Sequence, residues 1–208
     1  MDKIFEKRIR ESARPLLDKS RDGDWEHTLR VVEYGRYLLL HEEGDEEIVI
    51  PALYLHDIGW SCVDFDDFRE ASPDRKRKTP SLFMHMKYGA ELAEEILQDM
   101  CFEPEKTHTI VSIIAVHDEP DKVFAMKDPS AILIVEADRL DRYGPESIKR
   151  FKTMFGENYL KDDDWKKASA YLREGLELWF RTKTGKALAE KFALDTDLLT
   201  DKERRNTH

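Results

Sequence analysis

His56 and Asp57 stand side by side at the end of the run Ala52-Leu-Tyr-Leu-His-Asp-Ile-Gly59. An imidazole and a carboxylate that close an apolar segment need a partner, because charged groups are rarely buried unpaired. A divalent metal ion is one such partner, and both residue types are common metal ligands. Four further residues share this character. His27 lies in the first turn of a helical pattern, in line with Val31 and Tyr34. His85 lies on the inner face of a second pattern, His117 closes a third, and Asp138 lies deep in the apolar stretch 131–140. One such histidine is more often a core residue with a satisfied hydrogen bond than a ligand. Four of the seven histidines and two inward acids in one small domain shift the balance to a site that does chemistry.

The elements that must position these residues read as helices. Residues 3–19 carry a weak pattern in which Pro15 predicts a kink or a split. The stretch 20–24 is a break, with Asp24 as N-cap of the next helix. From Trp25 to about Glu42, Trp25, Leu29, Val32 and Leu39 form one apolar stripe, flanked by Val31, Tyr34 and Leu38. Residues 45 to about 57 are apolar nearly all round, which predicts the central buried helix; a strand is the rival for so apolar a run. Pro51 predicts a distortion there or a late start. Residues 59–80 show no period, aromatic and acidic first and basic afterwards, and a loop of that length is usually functional or mobile. Helices follow over 81–100 and 103–117. Asp128-Pro129-Ser130 caps another through about Tyr143, and shorter ones occupy 145–155. A long amphipathic helix begins near Asp163 and carries Trp165, Tyr171, Leu172, Leu176, Trp179 and Phe180, with Gly185 dividing it from a piece ending at Phe192. The expectation is a single all-α domain over 1–208, a helical bundle bearing the motifs over about 20–145 with added C-terminal helices over about 146–194. The C-terminal aromatics either close this domain or face a second copy in a homodimer.

Composition bounds the partners. Of 208 residues, 40% are hydrophobic and 38% charged, and only 9 are Gly and 8 Pro, which favours long helices. The net charge of −10 argues against polymeric nucleic acid and anionic membranes as partners. It leaves room for a small phosphorylated substrate in a locally positive pocket. Cys62 and Cys101 form neither a zinc-finger spacing nor a disulfide scaffold. The charged first twelve residues have no signal-peptide core, and the longest apolar run, Ile48 to Leu55, falls short of the roughly 20 residues a membrane span needs. A cytoplasmic location is expected.

The blocks "DWEHTLRVVEYG", "ALYLHDIG", "HMKYGAELAEEIL", "IIAVHD" and "VEADRLDRYG", in this order, resemble the HD-domain superfamily of metal-dependent phosphohydrolases, and most of all its small stand-alone bacterial members. The resemblance implies His27, His56, Asp57 and Asp138 as metal ligands. Two neutral imidazoles and two carboxylates cancel the charge of a divalent cation, and mixed N/O ligation suits Mn²⁺, Fe²⁺, Ni²⁺ or Mg²⁺ better than a closed zinc site. One ion is preferred over two. His85 and His117 then line the pocket, binding phosphate or moving a proton; in the alternative they hold a second ion with Asp57 bridging. Asp118 is a candidate general base, and Asp141 either orients a ligand histidine or pairs with Arg142 at the surface. Arg30, Lys87 and the loop residues Arg75, Lys76, Arg77 and Lys78 are candidate anion binders, with a solvated basic loop as the plain reading of the last four. Where related HDxxE nucleotidases place a glutamate, this chain has Trp60, which removes their evident water-activating carboxylate and offers a ring to stack on a base. The implied activity is hydrolysis of a nucleotide-like phosphoester or phosphoanhydride. The alternatives are a di-iron oxygenase of a small polyol or phosphonate and a non-catalytic ligand sensor.

Overall fold

The computed structural model describes residues 1–70, 79–155 and 163–195, and among these every regular element is a helix. In chain order they are α1 (Lys3–Leu17), α2 (Asp24–Leu39), α3 (Glu46–Leu55), a 3-10 turn η1 (Ile58–Cys62), α4 (Asp66–Glu70), α5 (Pro80–Asp99) and α6 (Pro104–Ile114). Then come α7 (Pro120–Ala125), α8 (Pro129–Leu140), α9 (Ser147–Phe155), α10 (Asp163–Leu178) and α11 (Lys183–Asp195). No described helix is long and apolar enough to cross a membrane.

α3 is the axis of the bundle. Its residues Val49 to Leu55 are all buried, and α1, α2, α6 and α8 pack around it. Burying a Val, Ile or Leu side chain is worth about 2 kcal/mol, so packing outweighs the poor helix propensity of Pro51. The Asp45 carboxylate caps the helix by accepting from the Glu47 amide. α3 therefore starts at Glu46 and runs through Pro51, and the start is not delayed. α8 is nearly as buried, from Leu133 to Leu140. Its N-terminus is built as expected: Asp128 accepts from the amides of Ser130 and Ala131, with Pro129 in the first turn.

Several expectations need correction. α1 is continuous, because Pro15 falls in its last turn and the helix still closes with the Asp18 amide on the Arg14 carbonyl. The N-cap of α2 is Gly23, at φ 84°, a left-handed conformation that glycine adopts without strain. Asp24 is the first residue of that helix, and its buried carboxylate takes Arg21 instead of capping. Part of 59–80 is helical, as η1 and α4; Arg75, Lys76, Arg77 and Lys78 lie outside the described residues. α6 stops at Ile114, short of His117, and Pro120 opens α7. Gly185 does not divide the C-terminal helices, for it lies inside α11, with the break at 179–182. A Cβ at Gly185 would come 2.2 Å from Glu136 Oε2. That carboxylate, buried on α8, accepts from the amides of Arg181 and Thr182 and ties the C-terminal region to the core. Trp179 and Phe180 follow α10, are 2% and 5% exposed, and pack against Tyr143. Both rings are therefore buried within the chain, while the side chain of Trp165 lies outside the described residues.

Candidate metal centre

α2 carries His27 on its buried face, His56 caps the C-terminus of α3 with Asp57 next, α5 carries His85, His117 follows α6, and α8 carries Asp138. All six are buried, and they meet in two groups that share Asp57. In the first, the Nε2 atoms of His27 and His56 are 3.4 Å apart. Asp138 Oδ1 lies 3.2 and 3.8 Å from them, and Asp57 Oδ2 lies 3.7 and 3.4 Å from them. In the second, the Nε2 atoms of His85 and His117 are 3.4 Å apart, and Asp57 Oδ1 lies 3.7 and 3.5 Å from them. Asp118 Oδ2 stands 3.6 Å from His85 Nε2. Donors bonded to one ion at about 2.1 Å sit about 3 to 3.5 Å from each other. The triads His27–His56–Asp57 and Asp57–His85–His117 are each close to that spacing and each could hold a cation, with Asp138 beside the first.

The rings are turned toward the cluster by what their other nitrogens meet. His27 Nδ1 meets Asp141 Oδ2 at 2.7 Å. His56 Nδ1 donates to the Leu53 carbonyl and His117 Nδ1 to the Ile114 carbonyl, both at 2.8 Å. A carbonyl only accepts, so these Nδ1 atoms carry the hydrogen, and in the neutral ring Nε2 keeps a free lone pair. His85 differs: its buried Nδ1 has no hydrogen-bond partner among the described residues.

Arginines match the acids. Arg21 Nη2 donates to Asp57 Oδ2 at 2.6 Å and its Nε to Asp24 at 3.0 Å. Arg150 also reaches Asp24. Arg139 bridges Asp138 and Asp118 at 2.6 and 2.8 Å, and Arg142 adds a contact of 3.4 Å to Asp118. Arg30 forks onto Asp141 at 2.6 and 3.0 Å. Burial alone would push these carboxyls up, but Arg21 holds Asp57 well below the usual carboxylate range. Arg139 does the same for Asp138 and Asp118, as do His27 and Arg30 for Asp141. Burial pushes His56 down, and burial with the neighbouring His117 pushes His85 down to about 3. Burial also disfavours charge on His27 and His117, yet hydrogen bonds to Asp138 and Asp141, and to Asp57, leave both raised.

Other anticipated residues sit differently. Lys87 points to solvent with its side chain 69% exposed, near Glu91, away from the cluster. Arg30 is occupied by Asp141, so it acts on His27 through that carboxylate. Asp141 itself is buried and holds the histidine, which excludes the surface reading. Asp118 is kept ionised by two arginines. Trp60 offers no face to a base: it is 1% exposed, its ring lies against His85, and the Arg21 guanidinium covers it at 4.1 Å. Sequence reasoning names neither Arg21, Arg139 nor Arg150, and takes Asp24 only as an N-cap and Arg142 only as a surface partner of Asp141. Arg139 carried a signal, a basic residue within a buried apolar helix directly after Asp138.

A family model described as HD domain matches residues 24–143, from the start of α2 to Tyr143 beyond α8. All six clustered residues fall inside this span, and Arg21 falls just before it. No curated protein and no solved structure gives a significant match.

Proposed function

The chain belongs to the HD-domain family, and on that footing we propose that it is a phosphohydrolase that works with two divalent cations. The first would be held by His27, His56, Asp57 and Asp138, the second by Asp57, His85 and His117 with Asp118 beside them. Two ions are preferred over one because the two oxygens of Asp57 face different histidine pairs, at 3.4–3.7 Å on each side. The donors are imidazole nitrogen and carboxylate oxygen without a thiolate, which suits Mn²⁺ or Fe²⁺. When bound, such ions polarise a phosphoryl oxygen and lower the pKa of water.

The observation that carries the reading is the charge balance. Asp24, Asp57, Asp118, Asp138 and Asp141 are already paired with Arg21, Arg30, Arg139, Arg142 and Arg150. Cations added to a site that is neutral beforehand make it positive, and a positive site in a chain of net charge −10 selects a small anion. A phosphoester or phosphoanhydride of a nucleotide-like molecule fits, while polymeric nucleic acid and anionic membranes are repelled by the remaining surface. Asp118, ionised and next to His85, accepts a hydrogen bond from whatever donor enters beside the second group. Trp60 plays no part in base recognition.

The test is a screen of nucleoside mono-, di- and triphosphates with Mn²⁺, Fe²⁺, Ni²⁺, Co²⁺ and Mg²⁺, reading released phosphate and pyrophosphate. Turnover that disappears in Asp57→Ala supports the reading. Two histidine pairs around one carboxylate also suit a di-iron oxygenase, so oxygen consumption with Fe²⁺ is followed in parallel. Oxygen uptake without phosphate release would replace the hydrolase reading.

A further inference from the structure

Three of the four clustered histidines are oriented through Nδ1, by Asp141, the Leu53 carbonyl and the Ile114 carbonyl. His85 is not. Its Nδ1 is buried without a hydrogen-bond partner among the described residues, so another device sets the direction of its Nε2. That device is a ring. Trp60 stacks on His85 with centroids 4.1 Å apart and planes 12° from parallel. The same indole donates from Nε1 to Asp57 Oδ1 at 3.1 Å. Asp57 Oδ1 is the oxygen that faces His85 and His117.

The indole is itself held in place. The Arg21 guanidinium lies 4.1 Å from its ring centroid, within the usual range of a cation–π contact, while donating to Asp57 Oδ2. Phe68 packs at 5.4 Å. The turn that carries Trp60 is pressed onto α5, because a Cβ at Gly59 would come 2.0 Å from the His85 carbonyl oxygen and 2.4 Å from the Gly89 amide. No other residue type permits that approach, so η1 packs directly against the His85 segment.

We propose that Trp60 is the positioning residue of the second group: its ring sets His85, its N–H sets Asp57 Oδ1, and together they determine whether a second cation is held. This rests on the two-ion reading above. Trp60 touches no substrate and forms no bond to the ion. Residues that orient metal ligands change metal affinity by about 10- to 100-fold when replaced.

The measurement is calorimetric titration of the metal-free full chain with Mn²⁺, comparing wild type with Trp60→Phe, which keeps a ring against His85 but loses the donor to Asp57. Wild type should bind two ions. The variant should bind the first within about twofold of wild type and the second about 10- to 100-fold more weakly. A purely structural role would weaken both together, and that result, or an unchanged second ion, overturns the proposal. A wild type that binds one ion removes the two-ion reading itself, and the proposal with it. Should the variant fail to fold, wild type with Mg²⁺ decides the matter. One of its four tryptophan indole N–H resonances should move on the second equivalent, beyond any change made by the first. Four resonances indifferent to the second equivalent would refute the proposal.

Discussion

Replacing Arg21 by methionine separates the metal-free protein from the metal-loaded one. In wild type the Arg21 guanidinium is buried and serves two carboxylates, Asp57 at 2.6 Å and Asp24 at 3.0 Å. Breaking a buried ion pair from one side costs about 3–5 kcal/mol, because the remaining charge stays desolvated. The lower end applies here, since Asp24 keeps Arg150 at 3.0 Å and Asp57 keeps the Trp60 indole. A loss of about 3 kcal/mol in a chain of this size lowers the melting temperature by about 6–12 °C. A bound divalent cation supplies Asp57 with a new partner, and stability gained by binding is linked to the state that binds. What then remains missing is the contact over Trp60 and one bond to Asp24, about 1 kcal/mol or 2–4 °C. The assay is thermal unfolding of wild type and Arg21→Met in EDTA and in saturating Mn²⁺. Equal losses in the two conditions would show that Asp57 meets no cation, and the reasoning would fail.

Two further outcomes follow from the same contacts. Asp141→Asn keeps the shape but weakens the acceptor on His27 Nδ1, and should reduce affinity for the first ion about 10- to 100-fold while leaving the second unchanged in a Mn²⁺ titration. The metal-free protein should be most stable near pH 6.5. His27 and His117 are raised above 6.5 in the fold, so above that pH the folded chain holds more protons than the unfolded one and loses stability as pH rises. His56 and His85 are lowered, so below it the unfolded chain holds more protons and stability falls as pH drops. Urea midpoints in EDTA that rise steadily from pH 5 to pH 9 would contradict this.

The parts of the fold that local chemistry dictates could be read before the structure. The stripes of α2 put His27 inward, the apolar run of α3 made it central, and Asp128-Pro129 marked the start of α8. Boundaries were harder where the apolar pattern runs on past the hydrogen bonds. Val116 and His117 continue the period of α6, yet the helix stops at Ile114 and Pro120 begins another. Lys87 could have been set aside from geometry alone, since a residue two positions from His85 lies on nearly the opposite face of a helix. Trp60 could not. Its closeness to His56 and Asp57 along the chain suggested substrate, and only the packing of η1 on α5 shows that both faces and the N–H are taken. Arg21 was hidden for a similar reason: it sits in a polar break, and its partner Asp57 is thirty-six residues away.

The central claim is that Asp57 serves two cations, one through each oxygen. Crystals grown from the wild-type chain with Mn²⁺ and measured at the manganese absorption edge test it directly. The account predicts two anomalous peaks per chain, one among His27, His56 and Asp138 and one between His85 and His117, with the Asp57 carboxylate between them. A single peak in the first position, with His85 and His117 bound to no ion at saturating Mn²⁺, would contradict it.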